Sequence, residues 1–124
     1  MARILVIDDE PAIRGLLRQV LERAGHSVAE ASNGREGIDQ LEADDFEMVI
    51  TDIVMPEREG IETIMRIKQG RPKTKIIVIS GGGHRLAMDF LPVAKELGAD
   101  LTFPKPFKPA EIIEAVDTLL GKAA

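Results

Sequence analysis

Residues 2–21 read "ARILVIDDEPAIRGLLRQVL" (Ala2–Leu21), and two periods meet inside them. From Ala2 to Ile7 the run is nearly continuous in apolar residues, as a strand buried on both faces should be. Beyond Pro11, residues Ile13, Leu16, Leu17, Val20 and Leu21 fall at i, i+3, i+4, i+7 and i+8. That is the stripe of an amphipathic helix, expected to end near Gly25. A doubly buried strand handed at once to a helix opens a β–α unit of a parallel sheet. Asp8, Asp9 and Glu10 fill the junction.

The rest of the chain repeats this alternation. Strand-like runs recur at Ser27–Ala31 ("SVAEA"), Glu47–Thr51 ("EMVIT"), Lys75–Ile79 ("KIIVI") and Leu101–Phe103. Between them "NGREGIDQLEADD", "EREGIETIMRIKQG" and "DFLPVAKELG" have helical character. Pro92 is tolerable only in a first turn, which puts the start of the fourth helix near Asp89. Ile112, Ile113, Val116, Leu119 and Leu120 form the last stripe, stopping at Gly121. The expected fold is α/β, a five-stranded parallel sheet with right-handed crossovers and helices on both faces.

At 124 residues the chain is one domain of ordinary size, 44% hydrophobic and 30% charged, as in soluble globular proteins. No stretch approaches the ~18 consecutive apolar residues of a membrane span, and "MARILVIDDEP" is too short and too acidic for a signal peptide. Without cysteine there is neither a disulfide framework nor a thiolate metal site. A cytoplasmic protein with no membrane insertion is expected. The net charge of −5 argues against direct nucleic acid binding, which needs a basic face. Glu57–Lys75 does lean basic, six Lys or Arg against three Glu, as a solvated helix and loop would.

In a parallel sheet the carboxyl ends of all strands share one edge, where ligands bind. Asp8 and Asp9 follow the first run, Asp52 the third and Ser80 the fourth, while Pro104 and Lys105 follow the fifth. Carboxylates gathered this way repel by roughly 3 kcal/mol per pair at ~5 Å and an effective dielectric of ~20. Such a site calls for a cation or a raised pKa. An all-oxygen donor set suits a hard ion, with Mg²⁺ the expected one. "DDEP" can also cap the helix that begins at Pro11, through Asp8 and Glu10, and capping is compatible with metal binding. A metal beside an aspartate, a hydroxyl and an ammonium suits phosphoryl transfer. Asp52 is then the nucleophile, with Ser80 and Lys105 each reaching a phosphoryl oxygen.

"VIDDEP", "MVITDIVMPEREG", "IIVIS" and "GADLTFPKPF" resemble the response-regulator receiver domain of two-component signalling, chemotaxis-regulator-like, in order and spacing along the whole chain. The resemblance implies a (βα)5 flavodoxin-like three-layer sandwich with strand order 2-1-3-4-5. It implies that residues 1–124 are a single receiver domain with no output domain. It makes Asp52 the phosphoacceptor for a sensor histidine kinase or phosphotransfer protein. Mg²⁺ would be bound by Asp9, Asp52 and the backbone carbonyl of Val54, with Asp8 acting largely through water. Ser80 matches the switch hydroxyl, Lys105 the lysine, and Gly60 the glycine after the "MP" loop. A cis bond before Pro106 is also implied. The partner downstream would be a target protein or a missing output domain, met through the fourth helix, fifth strand and fifth helix. Such a domain is no enzyme in the usual sense, catalysing only its own phosphorylation and dephosphorylation.

Three departures stand out. Thr102 occupies the switch position where the family usually carries Tyr or Phe, and Phe103, one residue on, points to the opposite face of the strand. "GGGHRLAMD" after Ser80 lengthens the link to the fourth helix, and its glycines lack the lysine and spacing of a P-loop. It is expected to be a flexible switch loop, with His84 exposed. Val54 and Gly82 sit where the family sets the rate of phosphoryl loss, and neither side chain can orient a water. A comparatively long-lived aspartyl phosphate is therefore expected.

Other functions fit less well. An aspartate-nucleophile phosphohydrolase would need a second aspartate two residues after Asp52, where Val54 stands. A flavin- or nucleotide-binding module would have its ligand's phosphate repelled by Asp8 and Asp9. A degenerate receiver acting only as an interaction module would not be expected to keep the acidic set with Ser80 and Lys105.

Overall fold

The computed structural model describes residues 2–54, 58–81, 95–96, 98–104 and 107–121; at 53–54, 58–61 and 80–81 it describes the backbone alone. Five strands, β1 (Arg3–Ile7), β2 (Ser27–Ala31), β3 (Met48–Val54), β4 (Lys75–Gly81) and β5 (Leu101–Pro104), form one sheet. Every pairing is parallel, and the order is β2-β1-β3-β4-β5, as the resemblance implies. The described helices are α1 (Pro11–Arg23), α2 (Gly34–Ala43), α3 (Arg58–Gly70) and α4 (Pro109–Leu119). The segment expected to hold a further helix before β5 lies almost entirely outside the described residues.

The continuous apolar runs have the expected cause. Successive residues of β1 point to opposite faces, and both faces are covered. Leu5, Ile7, Val49, Ile76 and Val78 meet Leu41 of α2 and Ile64 and Ile67 of α3. Ile4, Val6, Met48, Ile50, Ile77 and Ile79 meet Leu17 and Leu21 of α1 and Ile112 and Val116 of α4. Each such side chain taken out of water contributes about 1.5–3 kcal/mol. Phe103 packs on the second of these cores, so Thr102 looks the other way, as its position on the strand requires.

Local signals set the helix ends. Pro11 occupies the first turn of α1, where its missing N–H costs nothing. At the other end Gly25 has φ 95°, the Gly25 N–H donates to Glu22 O at 3.0 Å and the His26 N–H to Leu21 O at 3.1 Å. This pair of bonds is a Schellman cap. Asn33 caps α2 by accepting the Glu36 N–H at 2.9 Å. The cap expected at α1 takes a different form. Glu10 makes no side-chain cap bond, and the Asp8 carboxylate accepts the Glu10 N–H at 2.8 Å, closing the turn before the helix.

Three strands run further than their apolar runs suggest, β5 by one residue to Pro104. β3 continues past Thr51 through Asp52 to Val54, and β4 past Ile79 through Ser80 to Gly81. Their backbones stay paired, Asp52 opposite Ile79 and Ile53 opposite Ser80, because ladder bonds are indifferent to side-chain polarity. The basic lean of Glu57–Lys75 is also partly neutralised. Lys68 pairs with Asp100 at 3.2 Å and Arg71 with Asp45 at 2.7 Å.

Candidate functional site

The strand register assembles the site. Ile7 of β1 lies opposite Thr51 of β3, so the next residues, Asp8 and Asp52, come side by side at the carboxyl edge. Both share the strand parity of Val6 and Ile50, whose side chains lie in the core beneath α1 and α4. Asp8 is buried, and both carboxylate oxygens of Asp52 are shielded from solvent. Asp9 and Glu10 are exposed. Asp8, Asp9 and Glu10 each offer a carboxylate oxygen within 4.8 Å of the others.

The turn carrying these carboxylates is held from several sides. The Asp8 N–H donates to Ala31 O of β2 at 3.1 Å. Its carbonyl accepts Arg14 Nη1 from the first turn of α1 at 2.7 Å. Arg14 Nε donates to Glu30 Oε1 of β2 at 3.2 Å, and Arg18 Nη1 donates to Glu30 Oε2 at 2.9 Å. The Arg18 hydrogen bond, with Arg14 beside it, holds the Glu30 carboxyl below its ordinary value.

Asp8, Asp9, Asp52 and the Val54 backbone come to one edge. Ser80 reaches the same edge on β4, where its backbone pairs with Ile53 and with Pro104 of β5. The Ser80 side chain, Lys105, Pro106, Gly82 and His84 lie outside the described residues, as does the Lys105–Pro106 bond. Thr102 lies opposite Val78, partly buried. Two features escaped the sequence. Glu10 stands in the acidic cluster as well as beside the helix start, and Glu30 belongs to the support of Asp8. The sequence separates Glu30 from Arg14 by 16 residues, and only pairing of β2 with β1 joins them.

As a donor set the cluster fits a hard cation. All its ligand atoms are carboxylate oxygens, there is no cysteine in the chain, and His26 sits at the opposite, amino end of β2. Among the described residues no helix is long and apolar enough to cross a membrane.

Comparison with known proteins agrees with this geometry. The model of the response regulator receiver domain family matches residues 4–117. The chemotaxis protein CheY of Thermotoga maritima is 36% identical over 116 residues, 93% of this chain and 94% of that one. The transcriptional regulatory proteins CpxR of Escherichia coli (31%) and ResD of Bacillus subtilis (38%) match over 99% and 98% of this chain. The chain spans about half the length of these last two, 51% and 49%. A CheY-like receiver domain structure from Methanospirillum hungatei JF-1 has TM-score 0.87 at 30% identity, covering 98% of this chain and 94% of that one. The chain belongs to the response regulator receiver domain family. It is a receiver of phosphorylation-based two-component signalling. Receiver domains are signalling modules rather than classical enzymes; they generally bind Mg²⁺ at an acidic cluster and interact with histidine kinases and output domains.

Proposed function

We propose that Asp52 accepts a phosphoryl group from the phosphohistidine of a sensor kinase or phosphotransfer protein. The N–P bond to histidine breaks as the O–P bond to an Asp52 carboxylate oxygen forms. The observation that carries this is the β1–β3 register, which brings Asp52 beside Asp8 with its oxygens out of bulk water. A carboxylate fixed on the strand ladder needs little reorganisation to act as a nucleophile. Asp9, Asp52 and the Val54 carbonyl would hold Mg²⁺ directly, and Asp8 largely through water. Bound there, Mg²⁺ supplies charge neutralisation for the phosphoryl oxygens. Ser80 donates a hydrogen bond to one of these oxygens and Lys105 pairs with another. The only chemistry catalysed is the domain's own phosphorylation and dephosphorylation.

Ser80 and Thr102 form the switch that carries the phosphorylated state to a target protein or to an output domain. That output can be of more than one kind, since the relatives include a chemotaxis protein and transcriptional regulators. The site of action is the cytoplasm, where the phosphodonor and Mg²⁺ are available. Acetyl phosphate with Mg²⁺ tests the assignment. The wild-type chain is expected to be labelled and Asp52→Asn not, and equal labelling of both would remove Asp52 from the role.

A further inference from the structure

We propose that Arg14 is a positioning residue for the acidic loop, clamping the Asp8 carbonyl to Glu30 and so fixing where Asp8 and Asp9 present their oxygens. The inference rests on the loop being the cation site proposed above. Arg14 donates Nη1 to Asp8 O at 2.7 Å and Nε to Glu30 Oε1 at 3.2 Å, two bonds from one planar group. Its side chain is 18% exposed, so the group is largely withdrawn from competing water. The far end of the clamp is braced as well. Gln40 of α2 donates to Glu30 O at 2.6 Å, and Arg18 takes the second Glu30 oxygen. Among the described residues, Arg14 therefore links the cation loop to β2 and, through Glu30, to α2. Lysine could replace it only in part, because a single ammonium lacks the rigid fork that reaches two acceptors.

Charge and geometry make opposite predictions here, which separates the two roles. A guanidinium beside carboxylates repels Mg²⁺, so removing its charge alone would tighten cation binding. Removing a group that orients the ligands weakens it, commonly by 10-fold or more for groups of this type. The sign of the change identifies the role.

The test uses the full ¹⁵N-labelled chain as wild type, Arg14→Gln, Arg14→Lys and Glu30→Gln. Exchange of the Glu10 amide, which is bonded to Asp8 Oδ1, reports the turn in metal-free protein. Amide shifts during Mg²⁺ titration report cation affinity. Arg14→Gln is expected to speed Glu10 exchange and weaken Mg²⁺ binding, each by about tenfold, with Val6 and Ile50 exchange unchanged. Arg14→Lys should recover part of both losses. Glu30→Gln keeps the Arg14 charge but weakens its anchor, so it should show the same changes in smaller measure. If Arg14→Gln does not fold, Glu10 exchange in Glu30→Gln decides, since removing the Glu30 charge weakens Mg²⁺ binding by itself. Unchanged Glu10 exchange, or Mg²⁺ affinity that is unchanged or raised, overturns the proposal. Wild-type protein that shows no Mg²⁺-dependent shifts would overturn the cation site instead, and Glu10 exchange then decides the clamp by itself.

Discussion

Asp100 and Ile76 exchange two hydrogen bonds at the amino edge of the sheet. The Asp100 N–H donates to Ile76 O at 2.8 Å, and the Ile76 N–H donates to Asp100 Oδ2, also at 2.8 Å. Lys68 Nζ donates to the same carboxylate oxygen at 3.2 Å. This fixes the register in which β5 enters beside β4. Ser80 then meets Pro104, the residue before Lys105, at the other end. Asp100→Ala leaves the fully buried Ile76 without that acceptor and is expected to cost about 1–3 kcal/mol. Asp100→Asn keeps an acceptor oxygen and should recover part of the loss. Urea unfolding of the three proteins measures this, and an Asp100→Ala midpoint equal to wild type would contradict it.

Gly37 of α2 lies so near β1 that an added Cβ would stand 2.3 Å from Ile7 Cδ1 and 2.9 Å from Cγ1. Gly37→Ala is therefore expected to destabilise by about 1–3 kcal/mol through overpacking. Ile7→Val removes Cδ1. The double variant should be more stable than the sum of the single losses implies. Strict additivity in thermal melts would refute the contact as the cause.

Glu30 governs part of the acid response. Its folded-state pKa lies below the ordinary value of 4.5, chiefly through the Arg18 hydrogen bond and then Arg14. A group depressed in this way stabilises the fold fully above its unfolded pKa. That contribution is lost as pH falls through the lower folded value. With the Glu30 side chain 28% exposed, it amounts to no more than about 1 kcal/mol. Glu30→Gln should lose stability at neutral pH and show a shallower decline below about pH 4.5, read from denaturation midpoints against pH. A decline as steep as wild type would assign the acid limb to other carboxylates.

Phosphoryl lifetime tests the two residue types at Val54 and Gly82. Neither can orient an attacking water, so the phosphorylated chain, isolated from donor, is expected to decay slowly. Val54→Asn places a hydrogen-bonding group two residues after Asp52 and should shorten the lifetime. Decay of the wild type within seconds would contradict the expectation.

Sequence alone determined the order and type of the described elements, because burial period and end signals are local. Continuous apolar β1, the stripe of α1 and the Gly25 stop all carry their meaning within a few residues. It also named Asp8, Asp9 and Asp52, since a parallel sheet delivers its carboxyl ends to one edge. Tertiary structure decided where β3 and β4 end. Asp52 and Ser80 break the apolar runs, yet their backbones stay in the ladder because neighbouring strands supply the bonds. It alone joined Arg14 to Glu30 and Asp8, and Asp100 to Ile76 and Lys68. A polar residue carries no local mark of its partner, and these bonds exist only once strand pairing has brought distant segments together.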